Sequence, residues 1–150
     1  MAERKIDLRS MRLLSSFEEL TRVQPLDIVE TEDRYVFLVN EEDVGRAVGK
    51  GGSRLKRVRE KMGRNIDVVA YAEDPKELVS NFFRPYDVQG VELEDHREGG
   101  QRARVKVAPK DKGRAIGKGG SNVKLCEELV SRHTDITQVV VDSGTVVQGA

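Results

Sequence analysis

The sequence predicts an α+β fold built from two tandem small domains of one kind, each with the element order helix, strand, strand, helix, helix, strand. Two observations support this prediction. A fourteen-residue segment that begins at Asp43 returns 68 residues later at Asp111, with ten of the fourteen positions identical. The same alternation of helical and strand patterns surrounds both copies. The 150 residues thus divide into a first domain at 1–72, a second at 73–142 and a flexible tail at 143–150.

The first copy opens with an amphipathic helix followed by two strands. The apolar positions of the helix fall on one face, namely Ile6, Leu13, Phe17 and Leu20. The strands are predicted at Asp27–Thr31 and Tyr35–Val39, and the short turn between them is typical of an antiparallel pair. The second strand is the more hydrophobic, so we expect it to be central in its sheet.

The repeated segment supplies the next two helices of each copy. Asp43 and Asp111 stand where a carboxylate can act as the N-cap of a short helix that ends at the glycines. A longer helix begins near Ser53 and Ser121, and N-capping is favoured over ligand binding for these serines. The longer helices carry apolar residues at the i, i+3, i+7 spacing of a buried stripe, namely Leu55, Val58 and Met62, and then Val123, Cys126 and Val130.

The second copy begins almost without a linker. Gly63 is a predicted helix end and a strand at Ile66–Tyr71 closes the first copy. Asp74 then provides an N-cap acid before a proline at the first helical position, and the helix is expected to stop before Pro85. Three further strands are predicted, at Tyr86–Glu94, Arg102–Ala108 and Thr137–Asp142.

Positive charge is gathered around the two repeats, although the whole chain is neutral with 26 basic and 26 acidic residues. Residues 46–64 hold eight Lys/Arg and one acid, and residues 102–124 again hold eight and one. Residues 73–98 hold eight acids and three bases. This segregation favours a nucleic-acid partner over the alternative, an ordinary solvated surface of salt bridges.

Several classes of function are excluded by what the chain contains. A single cysteine, Cys126, rules out an internal disulfide, and its alignment with Val58 predicts a small core residue. No Cys/His cluster has zinc spacing, so we expect no metal and no cofactor. His96 and His133 have no nucleophile or carboxylate at a catalytic spacing, so we expect neither an enzyme nor a small-molecule substrate. The chain has no signal h-region and no run of 18 apolar residues, which predicts a cytoplasmic protein without membrane contact.

The sequence Gly-Lys-Gly-Gly at 49–52 and 117–120 can approach an anion closely, because glycine adopts positive φ and carries no side chain. The spacing does not fit a Walker A loop, since the further glycines follow the lysine instead of preceding it. It does not fit a dinucleotide fingerprint, since the third position after Gly51 is Arg54. A duplicated loop of this kind predicts a polymeric ligand.

The segments Ala47–Gly52 and Ala115–Gly120 resemble the I/V-G-x-x-G core of KH domains. Each lies between helices and within the element order given above, which resembles the type II, prokaryotic KH domain with a three-stranded sheet packed against helices. The resemblance implies that each loop clamps the backbone of about four nucleotides of single-stranded RNA. Single-stranded DNA remains an alternative ligand.

The same resemblance implies an RNA-binding set around each loop. Glycine amides would face the sugar-phosphate chain, lysines would add a point charge, other cations would flank it, and apolar residues would line a groove for the bases. The set comprises Arg46, Ala47, Val48, Gly49, Lys50, Gly51, Gly52, Ser53 and Arg54, and then Arg114, Ala115, Ile116, Gly117, Lys118, Gly119, Gly120, Ser121, Asn122 and Lys124. At Gly45 and Gly113, close helix packing and approach of RNA explain the glycine equally well.

Two closely joined type II KH domains also resemble the RNA-binding half of the NusA family of transcription factors, and residues 117–125 are similar to its second KH motif. Without the N-terminal polymerase-binding region and the S1 domain of bacterial NusA, the chain resembles the short archaeal form. This implies a factor that holds nascent RNA and modulates elongation, pausing, termination or antitermination, with RNA polymerase or other transcription factors as further partners. The alternatives are a KH protein of ribosome assembly or RNA processing, and a scaffold that binds proteins.

Overall fold

The structure, a computed structural model, describes residues 7–143. The chain divides into two compact units with the boundary between Ala72 and Glu73. Each unit has the order helix, strand, strand, helix, helix, strand, which confirms the predicted fold class. The helices are α1 (Leu8–Thr21), α2 (Val44–Val48), α3 (Ser53–Met62), α4 (Pro75–Phe82), α5 (Lys112–Ile116) and α6 (Ser121–Ser131). The strands are β1 (Asp27–Thr31), β2 (Arg34–Val39), β3 (Asn65–Ala70), β4 (Val88–Asp95), β5 (Gln101–Val107) and β6 (Ile136–Ser143).

The sheet of the first unit has the order β1-β2-β3, so β2 is central as predicted. β2 runs antiparallel to β1, with Ile28 opposite Phe37, and parallel to β3, with Tyr35 opposite Ile66. A parallel pair cannot be joined by a tight turn. The crossover from β2 to β3 consists of α2, the glycine loop and α3, so the sheet anchors both ends of the segment that carries the loop.

The second unit repeats this topology. Its sheet has the order β4-β5-β6, with β5 antiparallel to β4 and parallel to β6. A bulge between Val88 and Gly90 interrupts the β4–β5 register. β4 begins two residues later than predicted because Tyr86 still belongs to the turn after α4, where its amide donates to the carbonyl of Phe83 at 2.9 Å.

The core of the first unit lies between its sheet and its helices. Phe17 of α1 stacks on Phe37 of β2 with ring centroids 4.1 Å apart, and both are fully buried. Leu13 and Leu20 pack against the same cluster, which confirms the predicted apolar face of α1 as far as it is described. Burial of each large side chain contributes roughly 1.5–3 kcal/mol. Ile6, also predicted on this face, lies outside the described residues.

The core of the second unit is formed by α4, α6 and the inner face of the sheet. Phe82 and Phe83 meet edge to face with centroids 5.3 Å apart. Cys126 and Val130 of α6 are fully buried, which confirms Cys126 as a core residue. The predicted tail at 143–150 lies outside the described residues except for Ser143, which is the last residue of β6.

Local signals end and begin several elements as predicted. Gly63 caps α3 with φ 73°, and its amide donates to the carbonyl of Arg59 at 2.9 Å. The side chain of Asp74 accepts from the amide of Lys76 at 3.1 Å, and Pro75 is the first residue of α4. Within residues 7–143 no helix has the length and apolarity needed to cross a membrane.

Candidate nucleic-acid interface

Both glycine loops adopt the same backbone conformation. In the first unit the φ angles of Gly49, Gly51 and Gly52 are 79°, 60° and 78°. The matched glycines of the second unit have φ angles of 81°, 63° and 79°. These positive values favour glycine at all three positions. The repeated sequence therefore builds one loop geometry twice.

The first glycine of each loop is required by packing within its own unit. A β-carbon on Gly49 would lie 2.8 Å from the backbone nitrogen of Arg54, and one on Gly117 would lie 2.7 Å from that of Asn122. The loop therefore passes directly against the first turn of the helix that follows it. A side chain at this position would displace the backbone.

The next glycine faces open space. A β-carbon on Gly51 or Gly119 would meet nothing within 4 Å among the described atoms, and both residues are exposed. The same holds for Gly45 and Gly113, so close packing inside residues 7–143 does not account for those two glycines. These four positions leave the surface beside each loop open to an approaching molecule.

The loop also offers backbone donors. The amide of Gly52 is used internally, donating to the carbonyl of Gly49 at 3.1 Å. The amides of Lys50 and Gly51 come at the start of the same turn, where N–H groups have no partner within a helix. α3 begins directly after the loop, so its dipole adds positive potential at this end. The loop is thus a favourable place for an anion.

Arg54 and Asn122 occupy matched positions and tie each loop to its own unit. The Nη1 atom of Arg54 donates to the carbonyl of Thr21 at 2.9 Å and to the carbonyl of Arg46 at 3.2 Å. Nδ2 of Asn122 donates to the carbonyl of Ala115 at 2.7 Å, and Asn122 is buried. Both side chains bridge the short and the long helix across the loop. We therefore assign them a positioning role.

The apolar residues predicted to line a groove for bases differ in exposure. Ala47 and Ala115 are fully buried, because they form the inner face of α2 and α5. Val48 and Ile116 are half-buried. Among these four side chains, only the second pair has surface available to a base.

The carboxylates of Asp43 and Asp111 hold arginines instead of capping helices. Neither side chain bonds an amide of α2 or α5, so the predicted N-caps are wrong. A 3₁₀ turn precedes each helix and gives these residues helical φ and ψ instead of the extended backbone of an N-cap. Asp43 accepts from Arg46 at 3.0 Å, and Asp111 accepts from Arg114. The backbone amide of Asp87, which donates to Asp111 at 3.0 Å, and then Arg114 hold the pKa of Asp111 below its ordinary value.

The serines after the loops are not N-caps either. Ser53 and Ser121 are the first helical residues, and the N-cap positions belong to Gly52 and Gly120. Those glycines have φ near 79°, a conformation that serine rarely adopts. Both serines are exposed.

Exposed cations surround both loops. Lys50 and Lys118 lie in the loops themselves, and Lys124 lies in the first turns of α6. Arg46 and Arg114 keep 56% and 71% of their side-chain surface exposed although each is paired with an aspartate. The predicted cations other than Arg54 therefore remain accessible.

Four further exposed cations follow the first loop along α3 and are missing from the predicted set. They are Lys56, Arg57, Arg59 and Lys61. The charge count over residues 46–64 includes them. The helical period that places Val58 in the core could have placed them on the outer face.

The surroundings of His96 and Cys126 are those of a turn residue and a core residue. Nδ1 of His96 accepts from the amide of Glu98 at 3.2 Å in the β4–β5 turn. Burial raises the pKa of the Cys126 thiol well above its ordinary value. Among residues 7–143 there is no group of three or more His, Cys, Asp or Glu side chains placed to hold a metal ion.

Comparison with known families agrees with the tandem architecture. Residues 13–73 match the family model of the KH domain, and residues 75–141 match the model of the NusA-like second KH domain. The predicted resemblance to tandem KH domains is confirmed.

Relatives named "Probable transcription termination protein NusA" match most of the chain. The protein of Methanocaldococcus jannaschii is 32% identical over 142 residues, covering 94% of this chain and 76% of that protein. The protein of Halobacterium salinarum is 33% identical over 128 residues, covering 85% and 91%. The "Transcription termination/antitermination protein NusA" of Thermus thermophilus is 35% identical over 91 residues, which cover 60% of this chain and 23% of that protein.

A solved structure has the same fold. The crystal structure of APE1850 is similar with a TM-score of 0.74 and 36% sequence identity, covering 91% of this chain and 100% of that chain. With both KH models matched and relatives similar over most of their length, the chain belongs to the NusA family of transcription termination proteins and carries two tandem KH domains.

Proposed function

We propose that the protein holds nascent single-stranded RNA through its two glycine loops and thereby modulates elongation, pausing, termination or antitermination of transcription. Each loop would clamp the backbone of about four nucleotides. One observation supports the proposal above all others. Both units place an exposed lysine beside a glycine whose missing side chain leaves open space, with matching positive φ angles.

The RNA backbone would lie against the outer glycine of each loop. At Gly51 and Gly119 the absence of a β-carbon lets a phosphate approach the amides at the start of the turn. Lys50 and Lys118 would add a charge that neutralises one phosphate each. Since most of these contacts are to the backbone, they position the strand and carry little sequence information.

The bases would rest on the apolar surface next to the loop. Val48 and Ile116 provide half-buried side chains for this contact. Only 5% of the residues are aromatic, so ring stacking of the kind used by RRM domains would contribute little.

Both loops act on one ligand when the RNA is long enough to reach them. The two units follow one another in a single chain without an intervening domain. Binding at one loop then raises the effective concentration of the same RNA at the other. A role beside RNA polymerase fits the names of the relatives, and we propose the transcription machinery as the wider partner.

The experiment is a fluorescence anisotropy titration of a 12-nucleotide single-stranded RNA over a series of salt concentrations. The wild type is compared with Lys50→Asp/Lys118→Asp, which reverses the charge of both loops. We expect a wild-type slope of log K against log salt of several times about −0.7, since each neutralised phosphate contributes that amount. The double variant should lose nearly all affinity.

The matched control is Lys76→Asp/Arg97→Asp, which makes the same change in net charge at two exposed positions outside both loop segments. It should bind nearly as well as the wild type. Equal binding by the loop variant and the wild type, with native melting curves for both, would contradict the proposal. A single-stranded DNA of the same sequence tests the ligand class.

The transcriptional part is tested separately in a reconstituted elongation reaction with RNA polymerase. The wild type should change the distribution of paused and terminated transcripts, and the loop variant should not. If the protein binds RNA but does not change transcript lengths, the proposed RNA clamp would stand and the proposed role in transcription would be rejected.

A further inference from the structure

The two units use the helix after the loop differently, although the loops match. In α3, Arg57 and Lys61 are exposed. At the equivalent positions 68 residues later, α6 carries Leu125 and Leu129, which are buried. The same helix face is therefore part of the core in one unit and open to solvent in the other.

A third pair of positions shows the same contrast. Arg59 is exposed on α3, whereas the equivalent Glu127 of α6 accepts from the backbone amide of Val139 at 2.9 Å. This bond ties α6 to strand β6. The Glu127 carboxylate thus has a hydrogen-bond partner within its own unit.

The cations of α3 lack acidic partners. Among the described residues, none of Lys56, Arg57, Arg59 and Lys61 lies within ion-pair distance of a carboxylate. Several arginines elsewhere are paired, as in Arg64 with Glu30 at 2.6 Å and Arg104 with Asp142 at 2.9 Å. On α3, by contrast, four exposed cations without an ion pair to a described residue lie on one helix.

The spacing of these cations is unfavourable for the helix itself. Lys56 and Arg59 are three residues apart, and Arg57 and Lys61 are four apart, so like charges are neighbours on the helix surface. The one acid on this face, Glu60, is exposed and forms no ion pair with them within the described chain. Such pairs destabilise a helix in the absence of a ligand. A polyanion bound along this face would remove the repulsion.

We infer that this outer face of α3, formed by Lys56, Arg57, Arg59 and Lys61, is a second RNA-backbone site that contacts phosphates beyond the nucleotides clamped by the first loop. The inference rests on the proposed function and extends it. α3 starts at the loop and its ten residues run about 15 Å, so its cations continue the charge of Lys50 along the helix. This continuity favours RNA over an acidic protein segment as the ligand. Because α6 keeps only Lys124 of the four equivalent cations, the first unit should carry the larger share of the salt-dependent affinity.

The test uses the full chain with both loops intact. The variant Lys56→Gln/Arg57→Gln/Lys61→Gln removes three cations while keeping residues that favour helices. The control Lys76→Gln/Arg84→Gln/Arg97→Gln removes three exposed cations from the second unit. Each protein is titrated with an RNA of about 20 nucleotides and with one of about four, the length that one loop covers.

With the long RNA, the α3 variant should show a salt slope shallower than that of the control by about 2, since three phosphate contacts at about 0.7 each are lost. With the short RNA the two variants should differ little. A slope equal to that of the control on the long RNA would overturn the inference. If the loop variant Lys50→Asp/Lys118→Asp still fails to bind in that case, the proposed function stands without the extension.

The competing hypothesis is that the α3 face binds an acidic protein segment. Poly-glutamate serves as the probe for such a segment in the same titration. Loss of poly-glutamate binding in the α3 variant, together with an unchanged RNA slope, would assign the face to an acidic protein segment and overturn the RNA assignment.

Discussion

At the residue scale, the glycines of each loop have separable roles. Gly117 has no room for a side chain because the backbone of Asn122 lies against it, whereas Gly119 faces open space. Both have positive φ, so both resist substitution for backbone reasons, but only the first is also constrained by packing. Folding and the proposed RNA binding would therefore depend on different atoms of one four-residue loop.

Gly117→Ala should lower the free energy of unfolding by roughly 2–4 kcal/mol, because the left-handed backbone and the backbone clash add together. Gly119→Ala should cost only about 1 kcal/mol, from the backbone conformation alone. Urea denaturation of the two variants measures the difference. The matched pair Gly49→Ala and Gly51→Ala should repeat it in the first unit.

RNA titrations complete this comparison. The methyl group added at position 119 would project into open space where we propose that a phosphate lies, so Gly119→Ala should weaken RNA binding out of proportion to its small effect on stability. Unchanged affinity in this variant, once it is shown to be folded, would mean that the backbone of the ligand does not approach this glycine.

The limit of prediction from sequence is also visible at single residues. The sequence indicates that the loop glycines permit positive φ, because that freedom is a local property of glycine. The burial of Asn122 is not a local property. It accompanies a hydrogen bond from its side chain to the carbonyl of Ala115, seven residues earlier in the sequence. Arg54 at the matched position looks like a free cation in the sequence, yet its guanidinium holds the carbonyl of Thr21 from α1.

At the element scale, helix and strand positions were predicted well where the signals are local. Asp74 with Pro75, and Gly63, mark ends that depend only on neighbouring residues. The N-caps at Asp43 and Asp111 were predicted wrongly because a 3₁₀ turn extends each helix backwards past the expected cap. The carboxylate freed from capping then binds an arginine three residues later.

The lowered pKa of the Asp111 carboxyl leads to a prediction about the pH dependence of stability. A carboxyl with a lowered pKa in the folded state stabilises the fold above its ordinary value of 3.8 and loses that contribution as the pH falls through the lowered pKa. Asp111→Asn should therefore be less stable than the wild type near neutral pH, and the difference should shrink below pH 3.8.

Thermal melts of both proteins across this pH range provide the measurement. The control is Asp43→Asn, at a position that is more exposed and whose carboxylate accepts from Arg46 but from no backbone amide of residues 7–143. Its melting temperature should change less. A difference for Asp111→Asn that stays constant to low pH would show that the carboxylate charge is not the source of the stability.

At the scale of the whole molecule, the duplication has kept the loop and changed its surroundings. Each unit has its own three-stranded sheet and its own loop. The helix after the loop carries free cations in one unit and buried leucines in the other. The two units should therefore contribute unequally to one function.

The single variants Lys50→Asp and Lys118→Asp test this inequality on a 12-nucleotide RNA. Each should bind more weakly than the wild type and more tightly than the double variant, because the remaining loop still holds the strand. Lys118→Asp should retain the steeper salt slope, since the α3 cations of the first unit stay in place. Identical behaviour of the two single variants in anisotropy titrations would indicate equal units.

The crossover that carries each loop has a thermodynamic consequence. Because the loop segment is fixed at both ends by adjacent parallel strands, β2 with β3 and β5 with β6, there is little chain left to order when a ligand arrives. The conformational entropy of the loop is lost during folding and not during binding. Calorimetry of the complex should therefore lack the large negative heat-capacity change of a protein segment that folds on binding.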